Sequence, residues 1–112
     1  MLKIQQKNTK KNRTANLTFK ISEEECSIIS DMSRYYRIKF TPLVRQLIFK
    51  HIKDCEEITF FKPDSLLNNY KQVNFAASNE EYQIIEEYSF KFNTTKNDFL
   101  RCMLQQALKG DD

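Results

Sequence analysis

The sequence predicts a mainly α-helical protein with one two-stranded antiparallel β-ribbon, built from two copies of a strand–helix–helix unit. Three observations carry that prediction. Residues 16–54 lie over residues 72–110 without a gap. The two stretches are identical at Phe19/Phe75, Ser22/Ser78, Glu24/Glu80, Glu25/Glu81, Ile28/Ile84, Ile29/Ile85, Ser33/Ser89, Arg45/Arg101 and Lys53/Lys109. Leu17/Val73, Leu43/Phe99, Val44/Leu100, Leu47/Met103 and Ile52/Leu108 keep their apolar character, so the match is an internal duplication. Within each copy the apolar spacing changes from alternation to a helical period. Finally, with 1 Gly and 2 Pro the chain has little material for tight turns, which favours helices.

Each copy opens with an alternating strand. In "NLTFKIS" Leu17, Phe19 and Ile21 face one way and Asn16, Thr18 and Lys20 the other. In "QVNFAAS" Val73, Phe75 and Ala77 face inward, with Gln72, Asn74 and Ala76 outward. Ser22 and Ser78 then fit as helix N-caps, and Glu25 and Glu81, three residues on, complete capping boxes. The first helix of each copy is expected to reach about Tyr36 and Phe92. Its apolar faces are Cys26, Ile29, Met32 and Tyr36 in one copy and Tyr82, Ile85, Tyr88 and Phe92 in the other. Asn93 suits a left-handed residue after its helix. The second helices are expected from about Thr41-Pro42 and Thr95, with apolar faces Leu43, Val44, Leu47, Ile48, Ile52 and Phe99, Leu100, Met103, Leu104, Leu108.

A unit of this size is too small to bury a stable core, and a lone short strand leaves both edges open. Two copies solve both problems if their strands pair with each other and the helices pack beneath. The connecting stretch 55–71 could span roughly 55–60 Å when extended, so pairing within one chain is sterically possible. The organisation read from sequence is a basic flexible arm over 1–15, one repeat over 16–54, a link over 55–71 and a second repeat over 72–110, the two repeats forming one globular unit.

The chain is 40% apolar and 29% charged, as a folded globule requires. It has no apolar run of membrane-spanning length and no secretory h-region, so a cytoplasmic protein without a membrane partner is expected. Cys26, Cys55 and Cys102 are widely spaced and His51 is the one histidine, which argues against a metal site and for reduced thiols. There is no Gly-rich phosphate loop and no paired nucleophile and base, so neither an enzyme nor a cofactor is expected. The charge is uneven. Residues 1–22 carry Lys3, Lys7, Lys10, Lys11, Arg13 and Lys20 and no acid, whereas all 15 acidic residues follow them; the net charge is +3. A basic arm on a near-neutral body fits a nucleic-acid partner and equally fits a solvated tail.

"NLTFKISEEE" and "QVNFAASNEEY" resemble the strand-to-helix signature of the ribbon-helix-helix family, and "NTTKNDFLRCML" resembles the start of its second helix. The resemblance covers residues 16–54 and 72–110. It implies a β-ribbon that enters the DNA major groove. Two copies in one chain are similar to the fused dimers of TraY-type conjugation accessory proteins. The resemblance therefore implies sequence-specific binding of double-stranded DNA, in a plasmid or mobile-element factor acting at a conjugation origin. Its partners would be a relaxase and further copies of the chain on adjacent sites. A transcriptional repressor would use the same ribbon. On this reading Asn16, Thr18, Lys20, Gln72, Asn74 and Ala76 read bases. Asparagine and glutamine suit adenine, lysine suits guanine, and threonine or alanine suits a thymine methyl. Lys39, Thr41, Thr95, Lys96 and Asn97, at the second-helix N-termini, hold phosphate, and Lys10, Lys11 and Arg13 add further backbone attraction. Arg37 stands where the family often has glycine between the helices, and Ala76 where a polar reader is usual. Arg45 and Arg101 read as structural or ion-paired. A reading of another class makes the chain an antitoxin or assembly module that binds a protein through residues 55–71, with Ile58, Phe60, Phe61, Leu66 and Leu67 as the apolar surface.

Overall fold

The computed structural model describes residues 13–66 and 70–109. The elements follow the order β1 (Arg13–Ser22), α1 (Glu23–Tyr36), α2 (Phe40–Asp54), β2 (Tyr70–Ser78), α3 (Asn79–Lys91) and α4 (Lys96–Lys109). Strand–helix–helix thus occurs twice, in register with the duplicated sequence. The two strands pair antiparallel in a single two-stranded sheet.

The strand register is centred on Thr18↔Asn74, which are matched positions of the two copies; Leu17 faces Phe75 and Phe19 faces Val73 on either side. Because side chains alternate along a strand, this register gathers the larger apolar strand residues and Ala77 on one face. Leu17, Phe19, Ile21, Val73, Phe75 and Ala77 are all buried. They form one cluster with Ile29 of α1, Leu43, Val44 and Ile48 of α2, Ile85 of α3, and Phe99, Leu100, Cys102, Met103 and Leu104 of α4. The helices therefore cover one side of the ribbon and leave the other uncovered, with α2 and α4 packed against each other.

Local sequence explains the helix starts. Ser22 and Ser78 accept from the backbone N–H of Glu25 and Glu81, and those glutamates accept from the serine N–H groups in return, so both capping boxes close. Acidic side chains in the first turns of α1 and α3 also favour the positive ends of their helix dipoles. Helix α2 begins one residue before Thr41, with Lys39 as N-cap and Pro42 in its first turn; Thr41 is inside the helix rather than capping it. In α4 Thr95 caps the helix, its Oγ1 accepting from the Asp98 N–H at 3.1 Å.

The α1–α2 and α3–α4 turns are built alike. Arg37 and Asn93, at matched positions, have φ of 59° and 54°, and the residues after them, Ile38 and Thr94, donate back to Ser33 O and Ser89 O. Asparagine tolerates this left-handed geometry. Arginine adopts it at a cost of roughly 1–2 kcal/mol relative to its ordinary backbone, so the absence of glycine does not change the turn.

The structure revises two boundaries and one helix face. Strand β1 begins at Arg13, so 13–15 belong to the ribbon and not to an arm. Strand β2 begins at Tyr70, two residues before the duplicated stretch, which shortens the link. Tyr36 was expected on the apolar face of α1 but is 56% exposed at the helix end. The link folds back on the core: Ile58 is in the core cluster and Phe60 packs against it. The Phe60 ring stacks at 5.7 Å from Phe92 and 6.5 Å from Phe99.

Phe19 is fully buried at the centre of the ribbon's inner face, so Phe19→Ala should cost about 3–5 kcal/mol in a denaturant titration. The exposed neighbour Thr18 should tolerate alanine with a change within about 0.5 kcal/mol.

Candidate nucleic-acid interface

The uncovered ribbon face carries the six residues expected to read bases, and it brings them together as three cross-strand pairs: Asn16↔Ala76, Thr18↔Asn74 and Lys20↔Gln72. All six are exposed. In the central pair the Thr18 hydroxyl donates to Asn74 Oδ1 at 3.1 Å. That bond leaves the amide's two N–H donors and a second lone pair on Oδ1 for other partners. The row is unlike at its two ends. One presents an amide and a methyl group; the other presents an ammonium and an amide.

A residue missed by the sequence reading extends the charged end. Tyr70 faces Ser22 in the register and so lies on the same face as Gln72 and Asn74. Its ring is 43% exposed, and the Lys20 ammonium sits 4.5 Å from its centroid. The backbone of Lys20 is fixed as well, its N–H donating to Asn97 Oδ1 at 3.0 Å. Lys20 is thus held at its backbone by the start of α4 and at its head by an aromatic face. The signal in the sequence was the parity of Tyr70 with Gln72 and Asn74, hidden because the polar run before it lacks alternation.

The two second-helix N-termini differ. At α2 no side chain bonds the first amides and the first turn holds no acid; exposed Lys39 precedes it, and Lys71 reaches over the Phe40 ring at 5.8 Å. At α4 Thr95 already caps the helix, Asn97 is tied to the ribbon, Asp98 adds a negative charge, and Lys96 lies 5.3 Å from the Tyr82 ring. Free amides with adjacent cations can hold an anion; amides already bonded beside a carboxylate do so less well. Of the phosphate-binding candidates, Lys39 and Thr41 therefore stand at the more open end. Thr95, Lys96 and Asn97 stand at an end already engaged internally. Lys10 and Lys11 lie outside the described residues, and for Arg13 the backbone is described but not the side chain.

Behind the ribbon, two crossed ion pairs join the halves. Arg101 of α4 reaches Glu25 of α1 at 3.3 Å, and Arg45 of α2 reaches Glu81 of α3. Each arginine thus meets the capping-box glutamate of the opposite copy. Gln105 also donates to Glu25, and Arg101 to the carbonyl of Asp64 in the link. Burial of Glu25 opposes its ionisation, but the Ser22 N–H, Gln105 and Arg101 together hold its carboxyl below the ordinary value of 4.5. Glu81 is lowered in the same way: partial burial opposes ionisation, and Arg45 and the Ser78 N–H outweigh it. Ser89 Oγ is buried without a hydrogen-bond partner, while its matched Ser33 donates to Ile38 O.

Among the described residues no cluster of three or more His, Cys, Asp or Glu could hold a metal, and no helix is long and apolar enough to cross a membrane. Ile58 and Phe60, two of the link's apolar residues, pack inward, whereas Phe61 is 47% exposed; Leu67 lies outside the described residues. Comparison with known proteins finds no matching family model, curated protein or solved structure.

A carboxylate with a depressed folded pKa contributes stability that is complete above its ordinary value and is lost as pH falls through the folded value. Wild-type stability should therefore decline as pH falls below about 4.5. Glu25→Gln, which keeps hydrogen-bonding capacity but cannot titrate, should show lower stability at neutral pH and a shallower acid slope in denaturant midpoints.

Proposed function

We propose that the protein binds double-stranded DNA sequence-specifically, laying the uncovered ribbon face in the major groove. On this reading the two halves act as a fused pair of ribbon-helix-helix repeats within one chain. The observation that supports it is the outward row itself. Three cross-strand pairs bearing amides, a hydroxyl, a methyl and an ammonium lie on one exposed face whose reverse is core. A two-stranded ribbon fits the width of the major groove, and these side chains match its donor and acceptor patterns.

Asn16, Gln72 and Asn74 would pair with adenine, Lys20 with guanine, and Thr18 or Ala76 would touch thymine methyl groups. The open N-terminus of α2, with Lys39, would clamp a phosphate on one flank and fix the register without reading sequence. The biological role that follows from a fused, directional ribbon is an accessory factor at a mobile-element conjugation origin, acting beside a relaxase and in several copies on neighbouring repeats.

Two measurements test this reading. In binding titrations, affinity should fall steeply with salt. Lys20→Ala or Asn74→Ala should cost roughly 1–3 kcal/mol at a selected site and little on random duplex, whereas Lys39→Ala should weaken both alike. Equal losses on both DNAs for all three variants would remove base reading from the ribbon.

Light scattering of the free protein should give a mass near 13.4 kDa, and selected sites should lack strict two-fold symmetry, since the paired strands carry different readers. A stable dimer on palindromic sites would mean that each strand pairs with its counterpart in another chain.

A further inference from the structure

The two ends of the outer ribbon face are built differently. Lys20 stands directly across from Gln72, and Tyr70, two residues earlier on β2, is its diagonal neighbour. The Lys20 ammonium lies 4.5 Å from the centroid of the Tyr70 ring, and the Lys20 N–H donates to Asn97 Oδ1 at 3.0 Å. The duplication matches Lys20 with Ala76, Tyr70 with Thr14 and Asn97 with Thr41, so neither the lysine nor the tyrosine is repeated at the other end. The strand register is also regular from Ser22 to Ala15 and shifts only beyond it, between Ala15 and Arg13.

A lysine head is a strongly hydrated point charge on a flexible stem, and a free one reaches phosphate as readily as a base edge. Such a lysine adds affinity for any duplex. Lys20 is constrained at both ends. Its backbone is tied to the start of α4, and its head rests against a ring on the same face as Gln72 and Asn74. On the reading that this face enters the major groove, we infer that Tyr70 is a specificity-determining residue. Its ring holds the Lys20 ammonium toward the base edges, so that Lys20 selects guanine instead of pairing with the nearest phosphate. The ring occupies one side of an ammonium that has three N–H donors, which leaves donors for guanine O6 and N7. Ordering the stem before binding also removes an entropic cost that would otherwise fall on the guanine contact. Because the sequence does not repeat the pair at the other end, the same brace fixes which way the ribbon lies on an asymmetric site.

The test uses the full chain and a duplex selected from a random library. The guanine read by Lys20 is the one whose replacement by adenine weakens binding of the wild type but not of Lys20→Ala. The wild type should prefer guanine there by roughly tenfold. Tyr70→Phe, which keeps the ring, should retain that preference. Tyr70→Leu should lose it while affinity for random duplex stays unchanged. In the free protein, the Lys20 Cε protons should show an upfield ring-current shift by NMR, kept in Tyr70→Phe and lost in Tyr70→Leu, and the same spectra report that each variant is folded. A guanine preference retained by Tyr70→Leu would overturn the inference. So would an equal loss on selected and random duplex, which would make Tyr70 a backbone contact, and so would a Lys20 shift that Tyr70→Leu leaves in place. A library that yields no preferred sequence, or no guanine that depends on Lys20, would instead remove base reading by Lys20 itself, and the role of Tyr70 with it.

Discussion

Everything in this molecule depends on the pairing of β1 with β2. Each strand belongs to a half too small to exclude water from its own apolar face, and an unpaired strand would expose a full row of backbone groups. Pairing in a register centred on Thr18 and Asn74 satisfies those groups and merges two inadequate apolar surfaces into one cluster. A shift of one residue would send Leu17, Phe19 and Ile21 to solvent and Asn16, Thr18 and Lys20 into the core. The polarity of the outer face is thus the direct counterpart of the apolarity of the inner one. The same alternation that builds the core also clears a polar surface.

The crossed Glu–Arg pairs add directionality that apolar packing lacks. A hydrophobic core accepts many small rotations of its parts, whereas a guanidinium bonded to a carboxylate fixes distance and angle. Glu25 and Glu81 each serve two elements, closing a capping box on their own helix and binding an arginine from the opposite half. Removing either carboxylate charge therefore loosens a helix start and an inter-helix contact together. A buried pair such as Glu25–Arg101 is weak evidence for net stability, since desolvation offsets much of its attraction. The clearest effect of the two pairs here is to specify which helix lies beside which.

Most of the core was legible in the sequence because alternation and helical period are local signals. Ser22/Glu25 and Ser78/Glu81 were legible for the same reason. Other features depended on distant partners. Arg45 and Arg101 could be read as structural, but their glutamates lie in the opposite copy, and no local pattern joins them. Phe60 has no periodic neighbours; its place is set by the ring stack of Tyr88, Phe92 and Phe99, which exists only after α3 and α4 have packed. Tyr70 escaped because strand pairing extends β2 backward from the duplicated stretch. In the outer row the identities of the side chains were plain, but the cross-strand partnerships came from the register. The difference between the α2 and α4 ends came partly from the local Thr95 cap and Asp98 and partly from the long-range bond between Lys20 and Asn97.

Placing both strands in one polypeptide has a consequence for how the protein responds to dilution. Where a ribbon is shared between two chains, the core exists only as assembled dimer, and its stability falls as protomer concentration falls. Here β1 and β2 are tethered by the link, so the equilibrium that creates the core is first order. The folded fraction is then the same at one molecule per cell as at thousands. A gene expressed at trace levels would still yield intact ribbons.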